Sequence, residues 1–228
     1  MRNETENAMR RILNKWCGKP WLIAVYAVGL ALAVTAAVRW NVWGTPKRIL
    51  CLLAILLPLH VFEENTFPDG FHYMMNLAQN SDRPDLGPMN RLTDMVSNFG
   101  GEVLFLLLFL WGGNVGTSIL AAFFGIGESI VHTILGAATH KKLKSRGMKT
   151  IYGPGLATSY LALLPLSVYA LRWLTFQTIT PADAVTGVLL AAAVIVLLIR
   201  IPIMVLGKYQ PEYAFTSSGY FKKYEQKI

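Results

Sequence analysis

Six long apolar segments constrain the fold of this chain more than any other feature. A helix needs about 20 predominantly apolar residues to cross about 30 Å of hydrocarbon. Six segments reach or approach that length, at residues 20–43, 49–67, 95–112, 115–138, 154–174 and 181–206. The composition, 54% hydrophobic and 15% charged, is too apolar for a soluble domain. The sequence therefore predicts an all-α fold, an integral membrane bundle of about six transmembrane helices.

The segments outside the apolar runs predict the domain organisation. Residues 1–19 form an N-terminal segment, residues 20–207 a six-span domain with an interfacial loop at 68–94, and residues 208–228 a tail. The first apolar run exceeds the core of about 7–15 residues that a cleaved signal peptide has, so we expect it to remain as an anchor. The long loop is a candidate lid over the bundle.

The basic residues predict the orientation in the membrane. If the N-terminus is cytoplasmic, that side holds 16 of the 21 Lys and Arg residues and the other side 4, with Arg200 inside a span. Because cytoplasmic loops carry an excess of Lys and Arg, both termini are expected in the cytoplasm. The net charge of +8 is explained by these flanking residues, and no basic stripe is interleaved with aromatic residues. We therefore expect membrane lipid, and not nucleic acid, as a partner.

The few ionisable residues inside the spans are the candidate functional residues, because such groups are costly in hydrocarbon. His60, Glu63 and Glu64 stand at i, i+3 and i+4, so they project to one face of a helix. Glu128 with His132, and Asn98 with Glu102, form two further pairs at i, i+4. With the orientation above, the three patches lie at similar heights in the cytoplasmic half, so they are expected to meet.

Four carboxylates and two histidines in one place predict a metal site. The candidate ligands are His60, Glu63, Glu64, Glu102, Glu128 and His132. One arginine, Arg200, cannot neutralise four glutamates, so either protons or cations do. This ligand set matches the inventory of dinuclear iron or manganese sites in helical bundles, although not their sequence motif. A subset of two His and one Glu would suit zinc with an open coordination position.

Several functions agree with this pattern. We favour a metalloenzyme with iron or manganese that oxidises an apolar or amphipathic substrate, with Glu63 and Glu64 as catalytic residues. The alternatives are a mononuclear zinc hydrolase with Glu64 as base, a glutamate-type intramembrane protease, and a proton-coupled transporter that uses the carboxylates as a relay. Asn98, His72 and Arg200 are candidates for contacts to the ligands or to the substrate.

Three motifs resemble those of the HXXEE-motif family of multi-pass bacterial membrane proteins. They are the HVFEE stretch at 60–64 followed by FPDGF at 67–71, the NFGGE stretch at 98–102, and YGPGLAT at 152–158. The resemblance covers about residues 49–165. It implies a membrane metalloenzyme without an assigned reaction, in the bacterial inner membrane. The family's fourth span carries an HXXXH motif, whereas this chain has Glu128 in the first of those two histidine positions.

Overall fold

The chain folds into packed helices, and no strand occurs in the parts that the structure describes. This structure is a computed structural model that describes residues 2–207 and 211–225, without the side chains of residues 2–8. The first six helices are α1 (Arg2–Trp16), α2 (Pro20–Arg39), α3 (Thr45–Asn65), α4 (Phe71–Ala78), α5 (Arg91–Trp111) and α6 (Val115–Leu143). Helix α7 covers 156–174, with a π-helical stretch at Ser159–Leu163, and helix α8 covers Pro181–Leu206, with another at Val194–Arg200. The all-helical prediction is confirmed.

Capping residues fix where the spans begin. Asn90, Asn114 and Thr180 each accept a hydrogen bond from the third residue of the following helix, whose side chain binds back to the cap. Such capping boxes satisfy backbone N–H groups that a helix start leaves free. Because Asn90 caps α5, this helix begins one turn before the predicted 95–112 and includes Asp94.

Five helices are long and apolar enough to cross a membrane: Pro20–Val42, Thr45–Asn65, Arg91–Trp111, Val115–Arg146 and Pro181–Leu206. They correspond to five of the six predicted spans. The predicted span at 154–174 is continuous helix α7, but it does not reach the same combination of length and apolar character. The bundle thus has five candidate spans and a sixth, less apolar helix packed against them.

The predicted loop at 68–94 is largely structured. Helix α4 forms its first part, and the side chains of His72, Tyr73 and Met74 on this helix are buried. Asn76 of α4 holds the second part of the segment in place, because its side chain makes hydrogen bonds to the backbone of Pro84 and Met89. This segment is therefore a packed cap, and α5 takes its last four residues.

The described part of the predicted tail, residues 211–225, packs on the same end of the bundle. Tyr213, Phe221 and Tyr224 are buried, and Arg91 donates to the carbonyls of Glu212 and Ala214. The rest of the predicted tail, 208–210 and 226–228, lies outside the described residues. Burial of aromatic side chains explains why the tail is held to the bundle.

Small residues bring α6 and α7 into close contact. A Cβ added at Gly125 would lie 2.2 Å from the carbonyl oxygen of Leu163. Ser129 and Ser167 reinforce the contact, because each hydroxyl donates across it to a backbone carbonyl of the other helix. Close helix approach through small side chains is typical of membrane bundles. It presses the half of α6 that carries His132 against the start of α7.

Candidate metal centre

Helices α3 and α6 each contribute one histidine and one glutamate to a buried cluster. His60 and Glu64 lie one turn apart on α3, as do Glu128 and His132 on α6. Oε1 of Glu64 lies 3.4 Å from Nε2 of His60 and 3.2 Å from Nε2 of His132. Oε2 of Glu128 lies 3.7 and 3.6 Å from the same two nitrogens. Each carboxylate therefore faces both imidazole rings.

The His132 ring is fully buried and has unsatisfied polar atoms. Neither of its ring nitrogens has a hydrogen-bond partner. Gly155, just before α7, lies against the ring: an added Cβ would be 2.0 Å from Cε1 of His132. Gly155 also has a φ of +90°, a conformation that favours glycine. The turn before α7 therefore requires glycine at this position, both for the backbone and for the ring.

Glu63 lies outside this cluster, although it adjoins Glu64. Its Oε1 accepts from the Tyr152 hydroxyl at 3.0 Å and from the Ala157 amide at 3.2 Å. Its Oε2 accepts from the Thr158 amide at 2.7 Å and from the Thr158 hydroxyl at 2.6 Å. Burial raises the pKa of Tyr152, and the charge of Glu63 raises it further. This phenol therefore keeps its proton and donates a hydrogen bond. Glu63 thus caps the first turn of α7.

The acid on α5 is also kept apart from the cluster. Both carboxylate oxygens of Glu102 are buried and have no hydrogen-bond partner. Asn98 donates to the buried carboxylate of Asp94 at 2.9 Å, and it lines a cavity beside Glu64. The structure therefore brings together four of the six predicted ligands and leaves Glu63 and Glu102 outside.

His72 and Arg200 are placed away from the cluster as well. His72 stacks on Phe215 at 3.6 Å, and its Nε2 donates to the carbonyl of Ser217 at 2.9 Å. Burial lowers the pKa of His72 to about 4, because a buried imidazolium loses its hydration. Arg200 is exposed on α8. His72 therefore holds the tail against α4 as a neutral ring.

A mostly apolar cavity of about 140 Å³ adjoins the cluster. His60, Glu64 and Glu128 line it on one side. The remaining wall comes from α4, α5, α6 and α8, with Phe71, Met75, Phe105, Phe124, Val131 and Leu198 as its apolar residues. Binding sites for small molecules typically combine apolar walls with a few polar groups in this way.

The donor atoms fit a divalent metal ion. One donor atom from each of His60, Glu128 and His132 lies within 4.8 Å of the others, so this group can hold an ion. Imidazole nitrogen and carboxylate oxygen are ligands for zinc, iron and manganese. Nε2 of His132 supports the fit, since this buried nitrogen faces both carboxylates without a hydrogen bond and is available to an ion.

Sequence reasoning did not assign roles to Tyr152, Thr158 or Asp94. The first two belong to the YGPGLAT stretch, where the Pro-Gly pair indicated a helix start whose free N–H groups need an acceptor. Nothing in the sequence indicates which carboxylate supplies it. Asp94 lies just before the predicted span 95–112, because that prediction followed the apolar run and did not include the cap at Asn90.

The fold and the cluster together define a helical bundle that has five helices able to cross a membrane and a buried His/Glu group that could hold a metal ion. Residues 51–170, more than half of the chain, match the family described as a protein of unknown function with HXXEE motif, and the chain belongs to that family. The match includes both HXXEE and the residues of α6 and α7 that surround the cluster. No curated protein and no solved structure matches the chain.

Proposed function

We propose that this protein is a membrane-embedded metal-dependent hydrolase with one divalent ion, held by His60, His132 and Glu128, and with Glu64 as general base. The observation that carries the proposal is the convergence of two carboxylate oxygens, each within 3.7 Å of the Nε2 atoms of both histidines, across α3 and α6. Two His and one Glu, with a further position open, are the ligands of a known type of catalytic zinc site.

The distances favour a single ion. Ligands about 2.0–2.2 Å from a tetrahedral metal lie about 3.3–3.6 Å from one another, close to the 3.7 and 3.6 Å that separate Oε2 of Glu128 from Nε2 of His60 and of His132. A dinuclear iron or manganese centre needs more carboxylates. Of the two that such a centre would recruit, Glu63 is bonded to the first turn of α7, and Glu102 makes no hydrogen bond or ion pair with the cluster. We therefore propose the mononuclear alternative, with zinc as the first candidate and iron or manganese as the others.

The bound ion, Glu64 and Glu128 would each have a different role in the reaction. A bound divalent ion would supply Lewis acidity for attack of water on a carbonyl. Glu64, which faces both histidines and lines the cavity, would take the proton from the attacking water at Oε1 and return it to the leaving group. Glu128, the more exposed of the two acids with 22% of its side chain accessible, would balance the charge of the ion at the cavity mouth.

The cavity supports an apolar or amphipathic substrate. Its walls are mainly Phe, Met, Leu and Val side chains, and they would bind an alkyl or acyl chain by removing it from water. The reacting carbonyl would then lie at the polar end, beside Glu64. We propose a lipid-like ester or amide as the substrate class.

Metal analysis of the purified protein tests the proposal. We expect one zinc, iron or manganese ion per chain in detergent after supplementation. Two ions per chain would favour the dinuclear oxidative alternative, and none would overturn the metalloenzyme proposal and favour the transporter. As a second test, Glu64→Gln should retain the ion and abolish hydrolysis of long-chain fluorogenic esters. Full hydrolysis by that variant would overturn the role of Glu64.

We further propose that α7 crosses the membrane as the sixth span and that both termini face the cytoplasm of a bacterial inner membrane. Arg91 supports this because it bonds to Asn14 near the N-terminus and to Glu212 in the tail, so the two ends lie together. Reporter fusions at both termini test it: cytoplasmic signal at both ends is expected, and opposite sides would contradict it.

A further inference from the structure

Adjacent to the cluster, a chain of hydrogen bonds runs from Glu63 through Thr158 to His60. The Thr158 hydroxyl lies 2.6 Å from Oε2 of Glu63 and 2.8 Å from Nδ1 of His60. All three residues are at least partly buried, and Thr158 is 98 residues from His60 along the chain. This chain of contacts determines which nitrogen of His60 carries its proton.

The hydroxyl of Thr158 has one hydrogen to donate. Its two oxygen neighbours are the Glu63 carboxylate and, at 3.3 Å, the carbonyl of Gly155. The carbonyl of Gly155 can only accept. The Glu63 carboxylate is an acceptor as well, because it already receives two backbone N–H groups and the Tyr152 hydroxyl. The hydrogen of Thr158 is therefore directed to an oxygen, and toward His60 the hydroxyl can only accept.

We infer that Glu63 and Thr158 are positioning residues that keep the proton of neutral His60 on Nδ1 and direct its Nε2 lone pair toward the metal site. Nε2 is the atom that lies 3.4 Å from Glu64 and 3.7 Å from Glu128. The second glutamate of the motif would then bind or react, while the first orients the histidine. Partners that hold a ligating histidine in this way commonly contribute about 10–100-fold to metal affinity.

His132 provides an internal comparison. Its Nδ1 has no hydrogen-bond partner, and Gly155 packs so closely against the ring that an added Cβ would be 2.7 Å from Nδ1. The two histidines of the cluster therefore differ at Nδ1: a hydrogen bond to Thr158 fixes this nitrogen in His60, whereas only packing surrounds it in His132. A change at Thr158 should affect His60 alone.

The first test measures zinc affinity by competition with a chromophoric chelator, and it rests on the proposed metal site. Thr158→Val keeps the shape but removes the acceptor, and it should weaken binding about 10–100-fold. Thr158→Ser keeps the hydroxyl and should restore wild-type affinity. Thr139→Val is the matched control, since this buried threonine of α6 bonds only to the Met74 carbonyl. Equal affinity of Thr158→Val and Thr139→Val would overturn the inference but not the metal site.

The second test is independent of metal, and its decisive outcome is measured on the wild-type protein. Nitrogen-15 NMR of histidine-labelled, metal-free wild-type protein distinguishes a proton on Nδ1 from one on Nε2, and His60→Gln assigns the signal. We expect the Nδ1 proton in wild type and a loss of that preference in Thr158→Val. An unprotonated Nδ1 of His60 in wild type would overturn the inference, whereas failure of wild type to bind zinc would overturn only the proposed function.

Discussion

The interface of α3 with α6 and the middle of α5 both bury carboxylates, with opposite surroundings. Glu64 lies within 3.4 Å of nitrogens from two histidines. Glu102 is 2% exposed, and neither of its oxygens has a partner. On α5 the cavity is lined by Asn98, Gly101 and Phe105, and not by Glu102. Burial inside the bundle is thus insufficient for a shared site, because the rotation of each helix decides what its acid meets.

Removal of a histidine from the α3–α6 cluster should have the largest effect. His132→Ala deletes one of the nitrogens that face both carboxylates. We expect loss of nearly all bound metal, because only two of the three proposed protein ligands would remain. His140→Ala, on the same helix but outside the cluster, is the control. Metal analysis after gel filtration measures both, and a full metal content in His132→Ala would show that the ion binds elsewhere.

Substitution of Gly155 tests whether packing alone positions His132. In Gly155→Ala the new methyl group would meet Cε1 of His132, and the residue would be forced to a φ of +90° at a cost of about 1–2 kcal/mol. We expect a lower thermal midpoint and weaker metal binding. Gly127→Ala is a matched control on α6, because no atom lies within 4 Å of its added Cβ. Equal metal affinity in the two variants would indicate that the ring has room to move.

His72, a buried histidine outside the cluster, makes the stability of the protein depend on pH. The pKa of His72 falls from 6.5 to about 4, since burial outweighs the opposing effects of the Ser217 carbonyl and Asp85. Below pH 6.5 the unfolded chain binds a proton that the folded chain does not, so stability falls as the pH drops from 6.5 toward 4, by up to about 3 kcal/mol. Thermal midpoints in detergent measure this loss, and His72→Asn should reduce its slope. An unchanged slope would contradict burial of a neutral ring.

The smallest effect is expected at Glu102. Glu102→Gln removes an acid that makes no hydrogen bond, so metal content and zinc affinity should equal those of wild type. Metal analysis beside Glu128→Gln, which alters a cluster acid and should weaken binding, measures the contrast. Loss of metal in Glu102→Gln would return this residue to the ligand set and remove the distinction between the two regions.

Much of the site follows from helix periodicity. The i, i+4 spacing of His60 with Glu64, and of Glu128 with His132, already places each pair on one face, and the structure brings these two pairs together. The apolar runs likewise predict the helical fold, and five of them form helices able to cross a membrane. Periodicity failed for Glu102, because it gives the face of a helix but not the neighbour that the face meets.

The sequence alone determined five long apolar helices and the pairing of one histidine with one acid on α3 and on α6, because both are properties of a single helix with 3.6 residues per turn. Only the tertiary structure decided between Glu63 and Glu64. These neighbours point in directions about 100° apart on one helix, so the first meets Thr158 of α7 and the second meets His132 of α6. That division depends on how α6 and α7 pack through Gly125, a contact between segments that are distant along the chain from α3.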